Sequence, residues 1–199
     1  GSQTPGQTPS TGGSQTPGQT PSTGGSQTPG QTPSTGGSQT PGQTPSTGGS
    51  QTPVNSIGQA VIQAGLKYLG TPYEYASSRS TKTTMDCSEF VMWAYREGAG
   101  IDMGRGGATS EFNYVKAHGT YYYDKSKLQP GDLIWFMKYR GWKASDYAGI
   151  DASSQPIQHI GIYMGNNKVL HTFGAGGVKI TDLEGTHWGY RFIKAGRPY

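Results

Sequence analysis

Hydrophobic positions are confined to one part of the chain. Residues 1–53 hold only Gly, Ser, Gln, Thr and Pro, and every large apolar side chain lies at or beyond Val54. From there the spacing is helical. Ile57, Val61, Ala64 and Tyr68 recur at intervals of four and three, which predicts an amphipathic helix capped by Asn55 or Ser56 and ended by Gly70. Thr71-Pro72-Tyr73 then turns the chain into residues 77–84, a stretch without apolar side chains that reads as a loop. A second helix starts at Asp86, carries Phe90, Val91, Ala94 and Tyr95 on one face, and is closed by Gly98. Asp86 and Glu89 have the spacing of a capping box. A short third helix spans residues 110–115 and ends near Gly119.

Beyond Gly119 the period becomes that of strands. Segments 121–123, 133–137, 158–164, 169–173, 178–181 and 191–195 are short, rich in β-branched or aromatic residues, and separated by Gly, Asn, Asp or Pro. Gly165-Asn166-Asn167 predicts a hairpin between two of them. Helices followed by an antiparallel sheet indicate an α+β fold.

The segment without apolar residues is a repeat. GSQTPGQTPSTG occurs four times in residues 1–48, and Gly49 to Pro53 begin a fifth copy. With nothing to bury, such a segment cannot offset about 1–2 kcal/mol of backbone entropy per residue. Residues 1–53 therefore read as a disordered linker, between a random coil and a loose polyproline II spacer, and residues 54–199 as one folded domain. The linker suits a tether through a polymer mesh, or an inert spacer. Starting on a repeat boundary without Met, the chain reads as a fragment of a longer precursor. The net charge of +4 belongs wholly to the folded part, and so mild a basicity identifies no partner. No nucleic acid partner is expected, and without a run of about 20 apolar residues no membrane span is expected either.

The single cysteine excludes an internal disulfide, so Cys87 needs its own explanation, as a small buried hydrophobe or as a nucleophile. It directly follows the expected cap. At that first helical position, open N–H groups and the helix dipole favour a thiolate, whereas the neighbouring Asp86 opposes it. A nucleophile there needs a histidine partner. His159 opens an apolar strand and His171 sits in the next one. A three-residue loop over 165–167 would place His171 opposite Gly161, on the face that carries His159; a two-residue loop would put the two on opposite faces. Nucleophile at a helix start, base on a strand and polar orienter on the following strand suit covalent acyl transfer. Cys87 would then be the nucleophile, His159 the base, and His171 either the orienting residue or a histidine satisfied by backbone. His118 and His187 read as surface or structural residues. Zinc held by Cys87, His159 and His171 is the competing chemistry, but the paired ligand spacing it usually shows is absent. No metal or cofactor is expected.

Taken in order, Gly70-Thr71-Pro72-Tyr73, Asp86-Cys87-Ser88 with Phe90-Val91, Pro130-Gly131-Asp132-Leu133, His159-Ile160-Gly161-Ile162-Tyr163 with Gly165, and finally His171 resemble the NlpC-type cell-wall cysteine peptidases. The resemblance covers nearly all of residues 54–199. It implies a small papain-like domain with N-terminal helices packed on an antiparallel sheet. It also implies a monomeric extracellular enzyme, secreted or cell-wall associated, that cuts peptidoglycan stem peptides at the bond between γ-D-glutamate and a diamino acid. By position it makes Cys87, His159 and His171 catalytic, and has Tyr73, Asp86 and Ser88 contact the peptide, with Asp86 suited to pair with a free N-terminal ammonium. Two departures bear on substrate preference. Residues 74–78 (Glu-Tyr-Ala-Ser-Ser) replace the family's frequent Trp-Gly-Gly stretch, and Glu89 replaces a glycine. The connection over 138–157 is also long, and reads as a wall or lid over the cleft or as a solvated loop. A thiol hydrolase of poly-γ-glutamate or another amide, and a non-catalytic wall-binding module with an inert Cys87, are the alternatives.

Overall fold

The computed structural model describes residues 54–199; the linker expected over 1–53 lies outside the described residues. Apolar stripes draw the first two helices together. Helix α1 (Val54–Leu66) and helix α2 (Cys87–Ala99) bury Val61, Ile62, Phe90, Val91 and Tyr95 in one core with the sheet. Helix α1 starts earlier than its expected caps, so Asn55 and Ser56 fall in its first turn. It also stops at Leu66: tight turns follow, with Tyr68 N donating to Gly65 O at 3.0 Å, before Gly70 turns away to Val178.

Gly98 does not end α2. The helix runs on to Ala99 and closes at Gly100, which adopts a left-handed φ of 67° and returns its N–H to Arg96 O. Gly98 is instead the contact point between the helices, because a Cβ there would sit 2.5 Å from the Cα of Val61. Helix α3 (Ala108–His118) is longer than the six-residue stretch expected and begins behind Gly107 with no side-chain cap.

Six strands follow: β1 (Thr120–Tyr122), β2 (Leu133–Phe136), β3 (His159–Gly165), β4 (Lys168–Thr172), β5 (Val178–Asp182) and β6 (Phe192–Arg197). They form one antiparallel sheet in the order β1-β6-β2-β3-β4-β5. Strand β2 is buried on both faces, as alternation demands. Leu133 and Trp135 face the core shared with α1 and α2, while Ile134 and Phe136 face a second core with Leu183, Trp188 and Phe192. That second face is covered in part by α4 (His187–Arg191), capped by Thr186. Five residues leave no periodicity, so the sequence showed only a loop there.

The β3–β4 hairpin resolves the question of register by a route of its own. Its turn is the two residues Asn166 and Asn167, both left-handed at φ 48° and 64°, the conformation a tight hairpin asks for. A bulge between Tyr163 and Gly165 compensates the shorter turn, so Ile162 still pairs with Leu170. His171 therefore lies across from Gly161. The approach is close: a Cβ on Gly161 would be 2.9 Å from the Cβ of His171.

The contact at Gly98 yields a direct test. Gly98→Val should cost about 1–3 kcal/mol of unfolding free energy by overpacking, measured by denaturant titration. Unchanged stability would contradict the close α1–α2 approach.

Candidate active site

Asp86 organises the start of α2. Its extended backbone stands just outside the helix, and its carboxylate accepts the N–H of Ser88 at 3.0 Å and of Glu89 at 2.8 Å. Cys87 thereby becomes the first helical residue. Its sulfur is hydrogen-bonded by the backbone of Ile160, the residue after His159, so the helix start faces the start of β3. Between them lies an open cleft of about 450 Å³ lined by Tyr73, Arg79, Asp86, Cys87, Ser88 and Gln158 among others. Tyr73 is delivered by a short bridge to Met85, in which Met85 N donates to Pro72 O at 3.0 Å.

Behind the cysteine, three strands contribute one hydrogen-bonded line. His159 Nε2 lies 2.9 Å from His171 Nδ1, and His171 Nε2 lies 2.9 Å from the hydroxyl of Thr181 on β5. This leaves His159 Nδ1 for a transferred proton. If Nδ1 is to accept, His159 Nε2 donates to His171 and His171 Nε2 donates to Thr181, so one tautomer set serves the whole line. A metal shared by both histidines would have to break their mutual bond. Trp188 packs on both rings, with centroids 4.9 Å from His159 and 4.5 Å from His171, and Phe136 and Phe173 complete the apolar surround.

That dry setting controls the electrostatics. Burial lowers His159 to about 3, with the nearby Arg191 and His187 charges acting in the same direction. Burial likewise holds His171 well below the ordinary imidazole range. Desolvation pushes the Cys87 thiol up to about 12, and Asp86 adds to it, against hydrogen bonds from the backbone of Ile160 and Ser88. The sequence led us to expect a helix start that lowers the thiol; removal from water outweighs it. The resting cleft thus holds a neutral thiol and a neutral imidazole.

Several groups around the site take roles that their sequence signal did not give, and Arg79 and Glu111 carried no signal at all. Glu89 does not reach back to the Asp86 N–H as a capping box would. Its carboxylate accepts from the Ser77 hydroxyl and from Trp93 Nε1, and Ser77 Oγ in turn accepts the Asp86 N–H at 2.7 Å. The two departures from the family pattern, residues 74–78 and Glu89, are therefore one structural unit. The same loop holds Arg79 at a left-handed φ of 54° and lays its guanidinium across Asp86 and Ser88. On α3, Glu111 is buried with neither carboxyl oxygen hydrogen-bonded, and desolvation holds its carboxyl well above the usual carboxylate range. In the connection 138–157, Tyr147 is buried against Met137 and Ile193, and its last residue, Ile157, walls the cleft together with the adjoining Gln158, while Trp142 stays exposed.

The elevated thiol has a measurable consequence. Since the thiolate fraction grows only as pH rises towards about 12, alkylation of Cys87 at pH 7 without substrate should be at least about tenfold slower than that of a free thiol of ordinary pKa. The rate should still be climbing in the alkaline range. A plateau below neutrality would reveal a preformed thiolate and contradict this electrostatic picture.

Comparison with known proteins adds the family. The NlpC/P60 family model matches residues 70–197. The bifunctional muramidase/DL-endopeptidase CwlT of Bacillus subtilis (strain 168) is 29% identical over 140 residues, covering 70% of this chain and 36% of the relative. The Escherichia coli (strain K12) protein named "Probable endopeptidase NlpC" is 31% identical over 128 residues, covering 64% of this chain and 70% of the relative. The chain spans only 25% to 57% of the length of CwlT and two further relatives, the peptidoglycan DL-endopeptidase CwlO of Bacillus licheniformis and a probable endopeptidase NlpC homolog of Haemophilus influenzae. Among solved structures, an NlpC/P60 family protein from Bacillus cereus ATCC 10987 superposes with a TM-score of 0.54 at 24% identity, over 70% of this chain and 39% of that one, and so shares the fold. With helices packed on an antiparallel sheet and a family match over most of its length, this chain belongs to the NlpC/P60 family.

Proposed function

We propose that residues 54–199 form a monomeric, extracellular cysteine endopeptidase that hydrolyses peptidoglycan stem peptides at the γ-D-glutamyl–diamino acid bond. The observation that carries this reading is the Cys87 sulfur set against the start of β3, with the His159–His171–Thr181 line behind it. The relatives named as endopeptidases support a peptide substrate. The particular bond rests on the sequence resemblance, and the repeats fit a tether to the wall.

In this scheme Cys87 Sγ attacks the substrate carbonyl as its proton passes to His159 Nδ1. The C–N bond breaks when His159 returns that proton to the leaving amine, which leaves a thioester on Cys87. Water, deprotonated by His159, then attacks the thioester carbonyl, releases the acid and restores the thiol. His171 holds the imidazole in the needed tautomer, acting through His159 rather than on substrate. Because thiol and imidazole are neutral at rest, charge separates only as the oxyanion develops, where the N-terminus of α2 can stabilise it. Tyr73 and Ser88 line the path of the peptide. No step calls on a metal or cofactor.

Mass spectrometry of products from defined muropeptides tests the bond. The expected fragments are one ending in D-glutamate with a free γ-carboxyl and one beginning with the free amine of the diamino acid. Cleavage at a different bond would overturn the assignment, and cleavage of poly-γ-glutamate with muropeptides untouched would move the activity to that polymer.

A further inference from the structure

Two fixed charges line the cleft beside Cys87, the carboxylate of Asp86 and the guanidinium of Arg79. They are spent on each other. Asp86 accepts five hydrogen bonds: Ser88 N, Glu89 N, Ser88 Oγ and Arg79 Nη1 at Oδ1, and Arg79 Nη2 at Oδ2. Four of these fall on Oδ1, more than its two lone pairs can serve, and Oδ2 is held by the Arg79 fork, so the carboxylate's charge is paired before any ligand arrives. Ser88 Oγ is engaged as well, taking Arg79 Nη2 at 2.7 Å.

Arg79 is not a side chain that happened to swing in. Its Nε donates to Arg105 O at 3.0 Å, and its side chain is only 13% exposed. The backbone at residue 79 takes a left-handed conformation that non-glycine residues seldom adopt, and the loop is tied to α2 through Ser77 and Glu89. Glu111, whose electrostatics couple to both members of the pair, is buried, and desolvation holds its carboxyl well above the usual carboxylate range. A substrate ammonium in this corner would therefore meet a guanidinium and a carboxylate already paired with it. An amide there would meet no net charge, and one N–H on Arg79 Nη1 remains to donate to its carbonyl.

We infer that Arg79 is a specificity-determining residue that makes the cleft select N-acylated peptides, stem peptides still joined through their N-terminal amide to the wall polymer, and reject the same peptides with a free amine. This rests on the endopeptidase reading and names its substrate class. It also reverses the ammonium-binding role that the sequence resemblance suggested for Asp86.

The test uses two soluble stem peptides that differ only in a free or acetylated N-terminus, with intact walls as a control. For the wild-type chain, kcat/KM should favour the acetylated peptide by about tenfold or more. Arg79→Gln frees Asp86, so the ratio should fall by about tenfold or more, chiefly because the free-amine peptide is cut faster. Arg79→Lys, which keeps a cation without the fork, should stay nearer the wild type. Equal or better cleavage of the free-amine peptide by the wild type would overturn the inference, as would an unchanged ratio in Arg79→Gln, the signature of mere loop damage. Should that variant fail to fold, the wild-type ratio still decides. Walls digested without any preference for the acetylated peptide would overturn the inference alone. Walls left intact by the wild type would remove the endopeptidase reading and this inference with it.

Discussion

The carboxylate of Asp86 is the constraint from which the site follows. By taking the N–H groups of Ser88 and Glu89 it fixes where α2 begins, and that start sets Cys87 at the helix terminus, facing β3. By taking the Arg79 fork it fixes the loop that forms one side of the cleft. One group thus couples a helix cap, the position of a thiol and the charge at one corner of the cleft. Removing it would loosen all three, and leave a partly buried guanidinium without its partner.

Around that start, apolar packing does the electrostatic work. Trp188, Phe136 and Phe173 exclude water from the two imidazoles, and separate burial against the core of α1 and α2 raises the thiol. Such an environment makes a permanent thiolate–imidazolium pair unfavourable, yet it strengthens every interaction with charge that develops during attack. The close approach of Gly161 to His171 serves this arrangement, since a side chain at 161 would push β4 away and break the bond between the histidines.

Much of this was legible in the chain because it is local. A short acidic residue ahead of a helical apolar pattern marked Asp86 as a cap, and alternation along 158–164 and 169–173 marked the strands that carry His159 and His171. The histidine pairing was legible only as one of two registers, and what decides it was not: the two-residue turn, which alone would have parted the histidines, is offset by a bulge, and side-chain pattern specifies neither that bulge nor the left-handed Asn166 and Asn167. Gly98 looked like a stop because only tertiary contact shows Val61 pressed against it. A five-residue α4 is too short to leave a period, and Arg79 lies in a polar stretch where nothing marks one residue above another. The direction in which the Cys87 thiol shifts is a property of burial, which the helix start alone could not reveal.

The central claim is that one thiol, backed by the two histidines, carries the chemistry of this domain. Its most direct test is release of soluble peptide from purified cell walls by the wild-type chain and by Cys87→Ala, with both confirmed as folded. The account predicts steady release by the wild type and none above background from the variant. Equal release by the two proteins would contradict it.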